Sequence, residues 1–348
     1  VFKTRSDSTT NIFELKNGNL NKISEVISTT LTGNITYRSK GKKVVEEVSA
    51  SFSRHRKLNT LRILTGLPRP LSGKYSQYSI RIKEDQNIAR IFRVPASKVT
   101  NSCGIEASNT SNASRKTLAA SSSTLSLFKF TAIVDQAFQS KAGGSSSAGA
   151  LIDSLISNSD RTLRSYAGFQ ITRENIILLS GTDDSSSFQT TDADAIIREI
   201  QTKVSQGKFG TGNIFHLFTG KGTTLSNCGG DVAVGCALVG GTCSNGGKNY
   251  GVLVHLTDAV LAVAATHELG HNLGANHDSN TYNGRQTIMY PAAEASNFGF
   301  SDTSVSEMEQ SRSCAAVGES TTPTPVPSTT PTVTSDDKSE GDSDSGGG

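Results

Sequence analysis

The sequence predicts an α/β (α+β) sandwich with a twisted sheet over residues 118–318. A small, mostly β unit over residues 1–117 precedes it, and an extended tail over residues 319–348 follows. Three observations carry this. Strand-like and helix-like segments alternate from residue 127 onward, which favours a sheet covered by helices. The first hundred residues hold only short alternating or β-branched runs separated by Gly, Pro and Ser breaks. From Glu319 the composition changes abruptly, and residues 321–334 contain only Thr, Pro, Ser and Val.

In chain order, the strand-like runs of the first unit fall at residues 44–52, 61–65 and 78–82, with residues 67–73 the clearest break. Residues 101–124 are rich in Ser, Asn, Thr and Ala and include the dibasic pair Arg115-Lys116. Such a stretch is an exposed linker and processing site or an ordinary surface loop, and composition leaves both open. Residues 127–134 then form a strand. Residues 148–166 set Leu151, Ile152, Leu155, Ile156 and Leu163 on one helical face. A strand at 176–179 leads to a helix at 192–204 with Ile196, Ile197 and Ile200 inward, and further strands fall at 214–218 and 252–256. The tail cannot bury a core and is expected to be an extended, O-glycosylated stalk.

The 348 residues suffice for one large domain or two ordinary ones. The net charge of +3 conceals an asymmetry: residues 1–117 carry 21 Lys+Arg against 8 Asp+Glu, and the remainder 13 against 23. Halves of opposite sign are expected to bind each other. With no helix-turn-helix, finger or RNP signature, nucleic acid is not an expected partner. No apolar run approaches the ~20 residues that span a bilayer. The chain opens at Val1 without a signal-like stretch, as expected of a processed or trimmed protein. Five cysteines suggest two disulfides and one leftover thiol, hence an oxidising, extracellular compartment. Sequons at Asn34, Asn109 and Asn112 are compatible with secretion and glycosylation.

The chemistry is concentrated in His267-Glu268-Leu-Gly-His271-Asn-Leu-Gly274-Ala-Asn-His277-Asp278, which holds three of the six histidines. On a helix His267 and His271 lie one turn apart on one face and can present two nitrogens to one ion. Glu268, rotated by about 100° from His267, belongs beside that ion as a base for water. Gly274 is expected to leave the helix sharply with positive φ, bringing His277 round as third ligand and keeping a fourth position open, as catalytic zinc requires. Chance matches to such a pattern occur on the order of once in a million chains of this composition. His216 and His255 lack ligand spacing and are expected to be sheet residues.

These residues, followed by Ile288-Met289-Tyr290-Pro291, resemble the metzincin clan with its Met-turn, and Asp278 resembles the adamalysin/reprolysin (ADAM) branch. The segments 132–135, 216–219 and 237–243, Phe300-Ser301 and Cys314 agree, so the resemblance covers about residues 127–317. It implies a zinc endopeptidase acting on proteins or peptides, with a five-stranded sheet above a cleft and a smaller part below. Glu268 would be the general base and Met289 an apolar floor under the zinc. Residues 237–241 would be the edge along which substrate adds as a strand. The resemblance further implies the disulfide Cys243–Cys314, leaving Cys228–Cys236 as a local pair. It does not extend to calcium, because Lys129 and Asn213 stand where the family often uses acids. No Cys-rich adhesive region follows. Cys103 resembles the zinc-blocking thiol of a metzincin pro-domain, although Asn101-Ser102 depart from the usual motif; the other reading is a leftover or intermolecularly paired thiol. The rival function is a non-catalytic, zinc-stabilised binding or adhesion protein on the same fold, against which the intact Glu268 argues.

Overall fold

The computed structural model describes residues 2–39, 42–55, 58–66, 77–83, 88–94, 125–244, 246–279, 286–294, 297 and 299–317. For residues 2–8, 30–94 and 244 it describes the backbone alone. The chain opens with β1 (Phe2–Lys16), β2 (Asn19–Ser39), β3 (Lys42–His55), β4 (Leu58–Gly66), β5 (Gln77–Lys83) and β6 (Ile88–Val94). The α/β region follows as β7 (Ser126–Val134), α1 (Gln136–Ala142), α2 (Ser145–Ala167), β8 (Phe169–Leu179), α3 (Gly181–Ser185), α4 (Ala193–Ser205) and β9 (Ile214–Thr219). Next come β10 (Leu225–Cys228), β11 (Asp231–Ala233), β12 (Gly235–Ala237), α5 (Gly241–Ser244), β13 (Asn249–Val254), α6 (Asp258–Asn272) and α7 (Asp302–Met308). A 3₁₀ turn, Glu309–Cys314, and β14 (Ala316–Val317) close the described residues.

The central sheet runs β12-β13-β9-β7-β8, with β8, β7, β9 and β13 mutually parallel and β12 antiparallel on the edge. Parallel strands need helices on both faces, and their sequences become apolar throughout. β9 and β13 are accordingly buried at every position. One face packs on α2 and α6 through Phe128, Phe130, Leu151, Leu155, Leu261 and Leu269. The other packs on α4 through Ile196, Ile197, Ile200, Phe215 and Val252. Helices α1 and α4 begin where a side chain satisfies an orphan amide: Asp135 Oδ1 accepts from Phe138 N at 2.7 Å and Asp192 Oδ1 from Ala195 N at 2.8 Å. The expected strands and helices of residues 127–256 are therefore present, several of them longer at one end.

Two differences concern position. The edge strand spans Gly235–Ala237 rather than 237–241, because the chain turns at Gly240 and enters α5. The N-terminal strands are longer than the short runs foreseen. They also form no separate sheet: β1 pairs parallel with β8 from Asn11↔Asn175 to Leu15↔Leu179, and β2 to β6 continue outward from it. Apolar alternation understates strand length where one face is polar, as along the Ser/Thr-rich β2. A hairpin signal was nonetheless present in Asn17-Gly18, both with positive φ (52° and 74°) as a two-residue primed turn requires.

Candidate metal centre

α6 brings the motif into the core. Thr257 Oγ1 accepts from Val260 N at its start, and every residue of the helix after Asp258 is buried. Its end is a glycine-terminated turn: Ala275 N donates to Gly270 O (2.9 Å), Gly274 N donates to His271 O (2.8 Å), and Gly274 has φ 106°. A non-glycine residue would be strained there, so the reversal that carries the chain back toward the helix depends on this glycine.

Three imidazoles converge as a result. His277 Nε2 lies 3.3 Å from His267 Nε2 and 3.2 Å from His271 Nε2. The other ring nitrogens point away: His267 Nδ1 donates to Ile288 O (2.6 Å) and His271 Nδ1 to Ala275 O (2.8 Å). With those protons on Nδ1, both Nε2 atoms present lone pairs to one point, the arrangement that outer hydrogen bonds impose on metal-binding histidines. Nitrogens bound at 2.0–2.1 Å to one tetrahedral zinc lie about 3.3 Å apart, so the donor set fits zinc in identity and spacing. Among the described residues this trio is the one group of three metal-ligand side chains close enough to share an ion.

The Glu268 carboxylate is fully buried against the edge strand, in space left by Gly235: a β-carbon there would lie 2.4 Å from Glu268 Oε1. Met289 packs beneath the helix, where a β-carbon on Gly270 would lie 2.5 Å from its sulfur. Asp278 holds the turn under the histidines. Its backbone N–H donates to Met289 O (2.8 Å), and its carboxylate accepts from Ser301 Oγ (2.7 Å), Ser304 Oγ (3.0 Å) and Thr287 Oγ1.

Two residues outside the predicted set shape the site. Asn272 Nδ2 donates to Leu238 O (3.0 Å) and Tyr250 O (3.2 Å), tying the end of α6 to the sheet edge, while its Oδ1 contacts His216 Nε2 at 2.6 Å. Burial lowers the His216 pKa to about 4, so this imidazole is neutral at physiological pH and donates to the amide. His216 is thus a strand residue, as its spacing implied. In the sequence Asn272 reads only as a spacer between motif positions, and Gly235 carries no signal at all, because each acts through a contact distant in sequence. His255, just after β13, pairs with Asp258 at 3.0 Å.

Both expected disulfides are present, Cys228–Cys236 and Cys243–Cys314. Lys129 Nζ lies 3.3 Å from Glu174, with Asn213 Oδ1 accepting from Lys129 N at 2.9 Å. Cys103, Asn109, Asn112, the Arg115-Lys116 pair and residues 319–348 lie outside the described residues, and for Asn34 only the backbone is described. Among the described residues no helix is long and apolar enough to cross a membrane.

A mixed sheet over a helix that presents three convergent histidines and a neighbouring carboxylate defines a metallopeptidase type of site. Residues 99–303, well over half of the chain, match metallo-peptidase family M12 in its reprolysin branch, and the chain belongs to that family. The family is one of metal-dependent peptidases, whose substrates are proteins or peptides. No curated protein matches the chain significantly. A solved structure described as "Structure of a chaperone-substrate complex" is similar at 12% identity and a TM-score of 0.36, over 75% of this chain and 58% of that one. This chain therefore spans less than two thirds of that protein, and a likeness at this level carries no argument.

Proposed function

We propose that the chain is a secreted zinc endopeptidase of the reprolysin (ADAM-like) type, made in latent form, with His267, His271 and His277 as zinc ligands and Glu268 as general base. The convergence of the three Nε2 atoms beside the Glu268 carboxylate carries this reading. When bound there, zinc supplies Lewis acidity, polarising a peptide carbonyl and lowering the pKa of water toward ~7.

The chain's own residues do the rest. Glu268 takes the proton of the attacking water and delivers it to the leaving amine nitrogen. Gly235 gives its carboxylate room at the edge strand. Residues 235–238 offer backbone groups along which an extended substrate adds as a further strand. Met289 excludes water from beneath the ligands. A purely adhesive protein on this fold would have no use for a buried carboxylate beside an open ligand position.

Two disulfides suit an oxidising compartment, and the sequons and the Thr/Pro-rich segment suit secretion and glycosylation. Latency rests on the charge of residues 1–117, +13 against −5 for residues 118–318, and on the Cys103 thiol. Lys129, paired with Glu174, and Asn213 stand where the family often uses acids for calcium, so zinc is the one metal proposed.

Glu268→Gln tests the assignment. Hydrolysis of an unstructured protein such as casein should fall by at least ~10²–10⁴-fold while zinc stoichiometry stays unchanged. A variant with near wild-type kcat and bound zinc would refute the role of Glu268.

A further inference from the structure

The hairpin of β1 and β2 is built into the peptidase fold on the edge opposite the cleft. Between β12, the edge beside Glu268, and β1 lie β13, β9, β7 and β8, so the hairpin sits about 24 Å from the cleft edge at ordinary strand spacing. Its side chains enter both cores. Ile12 and Val26 are fully buried with α2 and β8 on one face, while Leu15 joins Ile177 and Leu179 on the other. The fit is close: Ile12 occupies the space over Gly149 of α2, where a β-carbon would lie 2.6 Å from Ile12 Cδ1.

The polar contacts are equally specific. Asp153 on α2 is fully buried and ion-paired to Arg173 of β8 at 3.0 Å. Thr10 closes this pair, its hydroxyl donating to Asp153 Oδ1 (2.9 Å) and accepting from Arg173 Nε (3.1 Å). At the hairpin turn Gly18 N donates to the Asp183 carboxylate (3.1 and 3.2 Å), and Ser180 N donates to Leu15 O (3.3 Å). Without the hairpin, β8 would present an unpaired edge, and the buried ion pair would lose its hydroxyl partner.

We propose that residues 9–29 are a permanent structural part of the peptidase, a strand pair that stays docked on β8 as a non-covalent subunit after the chain is cut between residues 95 and 124. Activation then requires only that the proposed Cys103 block be lifted, with the hairpin kept in place. The basic N-terminal region is split in function, its first hairpin serving as scaffold and its later part as inhibitor. The docking itself does not depend on zinc or on hydrolysis, so it can fail or stand independently of the function proposed above.

The test uses the full chain carrying Glu268→Gln, which prevents self-digestion, with residues 111–116 replaced by the recognition sequence of a site-specific protease. After cutting, the fragments are separated by size exclusion in about 1 M salt, which screens the charge attraction but not the strand pairing and apolar burial. Co-elution of both fragments is expected, with the β8 amides that face β1 as protected from hydrogen exchange as in the uncut chain. Thr10→Val, which should fold, is expected to weaken retention about tenfold. Ile12→Asp, with a charge forced into the core, should weaken it by roughly 100-fold or more. Fragments that part without denaturant, leaving a catalytic piece with an unchanged melting temperature, would overturn the proposal. So would free-edge exchange at β8 in the cut protein, or a Thr10→Val chain retained as tightly as wild type.

Discussion

His216 Nε2 lies 2.6 Å from Asn272 Oδ1, joining the middle of strand β9 to the residue that follows the second histidine of the motif. Asn272 in turn donates to the carbonyls of Leu238 and Tyr250, so one buried amide fixes the end of α6 against the edge strand. The contact requires that His216 Nε2 carry a proton, and burial keeps the imidazole neutral.

This sets a pH dependence. The His216 pKa is lowered from 6.5 to about 4 in the folded protein by burial, so the unfolded chain binds the proton more readily between those values. Stability is therefore complete above pH 6.5 and falls as the pH drops toward about 4, by roughly 3 kcal/mol from this group alone. Urea melts of wild type and His216→Phe across this range should show the variant less stable at neutral pH but with a shallower acid loss. Parallel curves would remove His216 as the source.

Gly235→Ala should displace the Glu268 carboxylate, because the new methyl would sit 2.4 Å from Oε1. A shift of about 1 Å in a catalytic group can cost ~10² in rate. The expected result is a fall of that order in kcat with zinc content and KM little changed, read by metal analysis and steady-state kinetics. An unaltered kcat would mean that the carboxylate has room to move.

Removing the Cys243–Cys314 bridge should destabilise the domain substantially. It closes a loop with a sequence separation of 71, which the chain-entropy treatment values at about 4 kcal/mol. Cys243→Ala with Cys314→Ala should lower the thermal midpoint more than loss of Cys228–Cys236, whose separation is 8 and whose value on the same treatment is about 2.5 kcal/mol. Differential scanning calorimetry of the two double variants gives the comparison directly.

Cys103→Ser should raise the peptidase activity of the uncut chain, and thiol-modifying reagents should do the same. Cutting near Arg115-Lys116 should activate wild type further, since it frees the tether at one end. Activities of intact wild type, intact Cys103→Ser and cut enzyme are compared at equal zinc content. Cutting that activates without any effect of Cys103→Ser would leave steric blockade in place and remove the thiol from the mechanism.

The sequence by itself determined the α/β region, its longer strands and helices from residue 127 to residue 272 and the metal motif, because each rests on local rules. Helical spacing places His267 and His271 on one face, Gly274 supplies the reversal for His277, and apolar runs such as residues 214–218 mark buried strands. Only the tertiary structure decided what lies opposite these residues. Gly235 is silent in sequence until β12 is laid against Glu268, and Asn272 is a spacer until β9 brings His216 to it. The N-terminal unit shows the same limit most clearly. Its strands at residues 44–52, 61–65 and 78–82 are legible as strands, but β1 is not, and its parallel pairing with β8 joins residues about 165 positions apart. No local periodicity encodes such a contact; it follows from the fit of Ile12 over Gly149 and from a buried Asp153–Arg173 pair that needs the Thr10 hydroxyl.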